Sequence, residues 1–176
     1  MSMVNERGRV VTWDDPIASR DASRHLSGIE MLRAIEGGEL PAPPVAKLVG
    51  LEIEHVSEGM VTFAFEPEEF HYSPLGAVHG GILTTVLDSA MGCAVHSRLA
   101  AGRSYTTIEL KVSFLRPVRA TTGRMRGEGT VVHLGGRVAT AQAHLVDGDG
   151  TLYAHATCTC LVLPAAPDGS ARTGVE

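Results

Sequence analysis

Cysteine is scarce in this chain: three residues in 176, with no Cys-x-x-Cys pair. An odd count without paired spacing argues against a disulfide framework and a zinc knuckle. No stretch approaches the roughly 20 consecutive apolar residues that a membrane-spanning helix needs. The opening MSMVNERGRVV mixes acid with base and lacks an apolar run, so it does not read as a secretory signal. Also absent are a Gly-x-Ser-x-Gly elbow, a P-loop and a Gly-x-Gly-x-x-Gly fingerprint. With 44% hydrophobic residues and a net charge of only −5, the chain is not of the disordered class. The expectation is one reduced, soluble, cytoplasmic domain with a core of its own.

The small net charge hides an asymmetry. Residues 1–97 carry fourteen acids against six bases, whereas residues 98–137 carry eight bases against Glu109 and Glu128. A basic middle on an acidic chain suits a compact anionic ligand rather than a nucleic-acid duplex. The alternative is that these arginines decorate strand edges and discourage aggregation.

Residues 1–18 lack periodicity and read as a mobile or partner-packed arm, with Trp13 as a packing anchor. From Ser19 to Glu36, Leu26, Ile29, Leu32, Arg33 and Ile35 recur near helical spacing until Gly37-Gly38. Pro41, Pro43 and Pro44 enforce an extended link, and Val45–Val49 forms a short helical turn. Leu51, Ile53 and His55 alternate with Glu52 and Glu54, and Val61, Phe63 and Phe65 alternate after Gly59, which predicts a hairpin. Gly80–Leu99 is different: Ile82, Leu83, Val86, Leu87, Ala90, Met91, Ala94 and Val95 describe a helix apolar around most of its girth, hence buried. Strands follow at 105–115 (Ile108, Leu110, Val112 and Phe114 on one face), 121–134, 137–146 and 151–163. The last two are joined by Asp147-Gly148-Asp149-Gly150. With no helices between these strands, a parallel doubly wound fold is disfavoured. The pattern predicts an α+β fold, an antiparallel sheet curved around one central helix. The division expected is an N-terminal arm and helix over 1–43, the main domain over 44–163, and a disordered tail over 164–176.

The chemistry concentrates between Tyr72 and Met91. His79-Gly80-Gly81 stands at the start of the buried helix, where first-turn N–H groups lack intrahelical partners and the dipole is positive. Such groups can hold a developing oxyanion; equally, the glycines can simply let the helix begin against the sheet. Asp88 lies in an otherwise apolar run, which is costly unless the carboxylate has a partner or a task. Thr84, Thr85 and Ser89 are near enough to be structural partners. Gly80 and Asp88 are eight residues apart on one helix, about 12 Å along its axis, too far to meet at one reacting carbonyl. A second copy related by a two-fold axis would bring Asp88 beside Gly80, so joint action implies a homodimer with two composite sites.

The pattern S-P-L-G-x-V-H-G-G-x6-D-S-A-x-G, followed by Y-T-T-I-E-L-K-V-S-F-L-R-P, G-x-V-V-H-x-G-G-R and G-x-L-Y-A-H-A-T, resembles the PaaI-like branch of the hotdog-fold acyl-CoA thioesterases. It runs from about Pro44 to Val162. The resemblance implies hydrolysis of an acyl- or aryl-CoA thioester. Gly80 then matches the oxyanion donor, Asp88 the catalytic carboxylate (nucleophile or general base), and His79 a positioning group. Thr107 matches a hydroxyl that orients water or carboxylate. Gly81 shares the helix start. Gly135, Gly136 and Arg137 match the strand edge lining the CoA channel, and Arg116 and Arg119 are phosphate partners. Ser73 stands where many relatives carry Asn, and its hydroxyl offers one donor rather than two. The resemblance also implies self-association as a homodimer or dimer of dimers, and no cofactor, CoA being part of the substrate. No metal is expected: His133, His144 and His155 fall on neighbouring strands without ligand spacing or acidic companions. Cys93, Cys158 and Cys160 read as packing residues, and His96 as a complement to the helix dipole. Two other readings use the same cleft, a noncatalytic acyl-CoA sensor and an enoyl-CoA hydratase or dehydratase.

Overall fold

The computed structural model describes residues 6–165. Three short helices lead the chain: α1 (Pro16–Ala22), α2 (Gly28–Glu36) and α3 (Pro44–Val49). Strands β1 (Leu51–Ser57) and β2 (Met60–Phe65) form a hairpin that turns at Gly59, φ +77°. The long helix α4 (Gly80–His96) follows, then β3 (Ser104–Phe114), β4 (Met125–Leu134), β5 (Val138–Val146) and β6 (Leu152–Leu163). The six strands form one sheet in the order β1-β2-β4-β5-β6-β3, and every pairing is antiparallel. Helix α4 packs against β2, β3, β4, β5 and β6, so the sheet wraps around it as the alternation and the single buried helix predicted. Among the described residues no helix is long and apolar enough to cross a membrane.

Val86, Leu87, Ala90, Met91, Ala94 and Val95 are fully buried on α4. Each of the larger side chains contributes about 1.5–3 kcal/mol by leaving water. The seat of the helix on β4 depends on two missing side chains. A Cβ added at Gly129 would lie 2.3 Å from the Ala90 backbone, and one at Gly127 2.7 Å from Val86 Cγ1. Only glycine lets the helix axis come this close, and that approach fixes the height of α4 over the sheet.

Several expectations need correction. The helix expected over 19–36 is two helices. Ser23 Oγ donates to the carbonyls of Ser19 and Arg20 and closes α1. Ser27 and Glu30 then form a reciprocal cap that opens α2, since Ser27 N donates to Glu30 Oε2 at 2.8 Å. In β1 a bulge between Ile53 and His55 turns His55 outward and Val56 into the core. In β3 a bulge between Thr107 and Glu109 leaves Ile108 58% exposed, off the face of Leu110 and Val112. An extra residue in a strand reverses every later side chain, and period-two counting cannot see it. Within one copy Trp13 is 60% exposed. The arm is held down elsewhere: the Arg9 guanidinium donates to Leu48 O and Lys47 O and covers the Phe70 ring at 4.1 Å. The expected disordered tail lies, from residue 166, outside the described residues.

Candidate active site

Helix α4 begins where the chain leaves an extended His79 (φ −61°, ψ 135°). The His79 Nδ1 accepts from Gly81 N at 2.9 Å, which caps the helix and places the ring proton on Nε2. Ile82 and Leu83 donate back to His79 O. Among the described residues no acceptor serves the N–H of Gly80. One donor at the positive end of the helix is therefore left over, and its residue lines an open cleft of about 390 Å³. Phe114, Leu115 and Arg116 line that cleft with Gly80. Phe114 closes on the glycine, its ring 3.2 Å from where a Cβ would stand.

Two turns further along, Asp88 is half-buried. Two of its nearby hydroxyls are occupied: Thr84 Oγ1 donates to Gly80 O at 2.8 Å and Thr85 Oγ1 to Gly81 O at 3.0 Å. The partner of Asp88 comes instead from β3, where Thr107 Oγ1 donates to Asp88 Oδ1 at 3.0 Å. The other carboxylate oxygen accepts from no described residue and is not sealed from solvent. A charge-assisted bond on one oxygen fixes the group and leaves the second free to act. The β3 bulge makes this possible, because it keeps Thr107 inward opposite Cys160 while Leu110 also points inward opposite Cys158.

The surroundings of the carboxylate are tight and apolar. Cys93 lies beside it on α4, its thiol pushed up to about 12 by burial and then by the negative Asp88. Tyr105 packs beneath; burial holds its hydroxyl well above the usual phenol range. The ring fits only because residue 92 is glycine, where a Cβ would fall 2.3 Å from the Tyr105 hydroxyl. Cys158 and Cys160 are buried with sulfurs 3.8 Å apart. Sequence reasoning passed over Tyr105 and Gly92. The signal available was the period-two relation of Tyr105 to Thr107.

The structure groups some of the expected site residues and separates others. Gly80, Gly81, His79 and Arg116 gather at the first turn of α4, where the Arg116 guanidinium donates to Leu152 O. Ser73 lies on the preceding loop, and its hydroxyl accepts from Leu75 N at 3.3 Å, so it braces its own turn. Arg119 opens the 120–122 turn that Tyr72 holds through its hydroxyl on Ala120 N. Gly135, Gly136 and Arg137 are elsewhere. Gly136 O accepts from Arg103, which follows the C-terminal end of α4. The two basic groups therefore sit at opposite ends of a helix about 25 Å long. Asp88 and Gly80 likewise remain about 12 Å apart along that axis within one copy. Of the strand histidines, His144 and His155 face each other across β5 and β6. Among the described residues no group of three or more His, Cys, Asp or Glu side chains could hold a metal ion.

Comparison with known proteins places this geometry. Residues 75–154 match the family model of the thioesterase superfamily. A candidate esterase from Halobacterium salinarum is 34% identical over 114 residues, covering 62% of this chain and 74% of the relative. The solved structure of a phenylacetic acid degradation-related protein from Ralstonia eutropha JMP134, described as a candidate thioesterase, is 34% identical with a TM-score of 0.67. That alignment covers 73% of this chain and 97% of the other. The PaaI protein of E. coli, from its phenylacetic acid degradation operon, shares the fold at a TM-score of 0.68 and 21% identity, over 80% and 98% of the two chains. This chain belongs to the thioesterase superfamily of hydrolases and has the PaaI-like hotdog fold.

Proposed function

We propose that the chain hydrolyses an acyl- or aryl-CoA thioester to the free acid and CoA, in composite sites built from two copies. The observation that carries this reading is the Asp88 carboxylate, fixed through one oxygen by Thr107 and open through the other. The unpaired Gly80 N–H supports it, as a donor that strengthens its bond when the carbonyl oxygen becomes an anion. The free edge of β3, with Ile108, Phe114 and Leu115 half exposed or more, supports a second copy docking beside it. An antiparallel α4 would then lend its carboxylate to this glycine.

In the general-base route, Asp88 of the partner subunit takes a proton from water, and the hydroxide adds to the thioester carbon. Gly80 N–H holds the resulting oxyanion. Collapse restores the carbonyl, breaks the C–S bond and sends the proton to the departing CoA thiolate. In the nucleophilic route the carboxylate attacks first, and water then cleaves the mixed anhydride. Arg116, in the cleft beside Gly80, would meet CoA phosphate, and the 135–137 turn would contribute from the other copy. Self-association, the acyl-CoA substrate and the absence of any cofactor all belong to this proposal.

The test is Asp88→Asn, assayed by thiol release from acyl-CoA and by CoA binding. Loss of turnover with binding retained is the expected result. Unchanged background rates in both proteins would favour an acyl-CoA sensor, and enoyl-CoA hydration without free thiol would favour a hydratase.

A further inference from the structure

The chemistry above leaves α2, α3 and a second cavity without a task. That cavity, about 520 Å³, lies between α2, α3, β1 and the flank of α4 at Cys93. Its roof is α2, which also buries Leu32 against the core. Gly28 N donates to Leu99 O at 2.9 Å, and a Cβ at Gly28 would stand 1.7 Å from His96 O, so the first turn of α2 rests directly on the end of α4. From there α2 runs over β1, and the cavity opens under its second half. Leu32, Ala46, Leu51 and Phe63 form buried apolar walls; Ile35 and Cys93 are half-covered. The charged lining groups, Arg9, Glu36, Lys47 and Glu52, are all exposed, which puts charge at the rim and hydrocarbon inside.

We propose that this cavity receives the hydrocarbon tail of the thioester, that the preferred substrates are medium-length straight-chain acyl groups, and that Ile35 on α2 sets the length limit. The inference rests on the hydrolase reading of Asp88. Cys93 links the two places: it borders the cavity directly and stands five residues after Asp88, about 7.5 Å along the helix and about 140° around it, near enough for the Asp88 charge to act on its thiol. A chain leaving the carboxylate reaches the cavity mouth by running along and partly around α4. Acetyl and butyryl tails stop short of it. The buried side chains of the walls, Leu32, Ala46, Leu51 and Phe63, are all hydrocarbon, so aliphatic chains fit better than hydroxylated aryl groups. The volume lies within the range of about 300–1,000 Å³ common for small-ligand pockets.

The test compares kcat/KM for acetyl-, octanoyl-, palmitoyl- and benzoyl-CoA in wild type, Ile35→Trp, Ile35→Ala and Asp88→Asn, with octanoate binding followed by calorimetry on the full chain. Wild type should prefer octanoyl-CoA. Ile35→Trp should lower the octanoyl-to-acetyl ratio at least tenfold and weaken octanoate binding. Ile35→Ala should move the optimum toward palmitoyl, which preserves the test if the bulky variant does not fold. A profile that neither Ile35 variant displaces, or one that benzoyl-CoA dominates, overturns the proposal. The two readings fail separately. If Asp88→Asn keeps full turnover while the Ile35 variants still shift the profile, the hydrolase mechanism falls and the acyl cavity stands. Loss of turnover with an unmoved profile leaves the mechanism and removes the cavity.

Discussion

Gly80→Pro removes the backbone N–H from the proposed chemistry and puts a ring carbon on that nitrogen. Gly80 is the first residue of α4, a position where proline is favoured because its missing N–H has no intrahelical acceptor. The preceding His79 already has the extended backbone that a following proline demands. Proline adds three ring carbons: its Cβ comes near Phe114, whose Cζ lies 3.2 Å from the position of a Cβ, and its Cδ takes the place of the N–H hydrogen. Gly80→Ala introduces that same contact while keeping the N–H, so it serves as the control. Loss of a single oxyanion donor lowers kcat by roughly 100- to 1,000-fold, about 2.7–4 kcal/mol. Steady-state thiol release should therefore show Gly80→Pro depressed in kcat by that factor with KM little changed, and Gly80→Ala within about tenfold of wild type. Thermal unfolding of both variants should match wild type within a few degrees. Equal activities for the proline and alanine variants, in folded proteins, would refute the assignment of this N–H.

Thr107→Val removes the donor to Asp88 Oδ1 at nearly constant volume. A hydrogen bond to a charged group is worth about 1.5–3 kcal/mol, so kcat should fall by roughly 10- to 150-fold, while Thr107→Ser recovers most of it. A split between kcat and KM in these two variants separates positioning from packing. Burial lowers the folded-state affinity of His96 and His71 for protons. The unfolded chain therefore protonates first as pH falls through about 6.5, and stability is lost on acidification below that value. Urea midpoints between pH 8 and 5 should fall, and His96→Leu should flatten part of that slope.

Legibility in the sequence followed the length of the signal. Helix α4 was readable almost to its last residue, because seventeen residues with apolar positions at i, i+3 and i+4 admit no strand. Asp88 stood out for the same reason, as the lone charge in that run. The partner of Asp88 was not derivable from spacing. Thr107 reaches it across nineteen residues of chain, through a bulge that moves Ile108 off the face counted for it. The break in the N-terminal helix rested on serine hydroxyls competing for backbone groups, which periodicity does not register. The separation of Arg116 from Arg137 is a matter of which end of α4 each turn meets, and that is set by sheet order rather than by local composition.

The most direct test of shared sites is complementation between two inactive proteins. Asp88→Asn and Gly80→Pro homodimers are mixed, subunits are allowed to exchange, and thiol release is measured against each parent. Every hybrid dimer would hold one site with both an intact carboxylate and an intact N–H. Random exchange at equal amounts should thus restore about a quarter of wild-type activity. A mixture that, after demonstrated exchange, stays at the sum of its parents would contradict a site assembled from two copies.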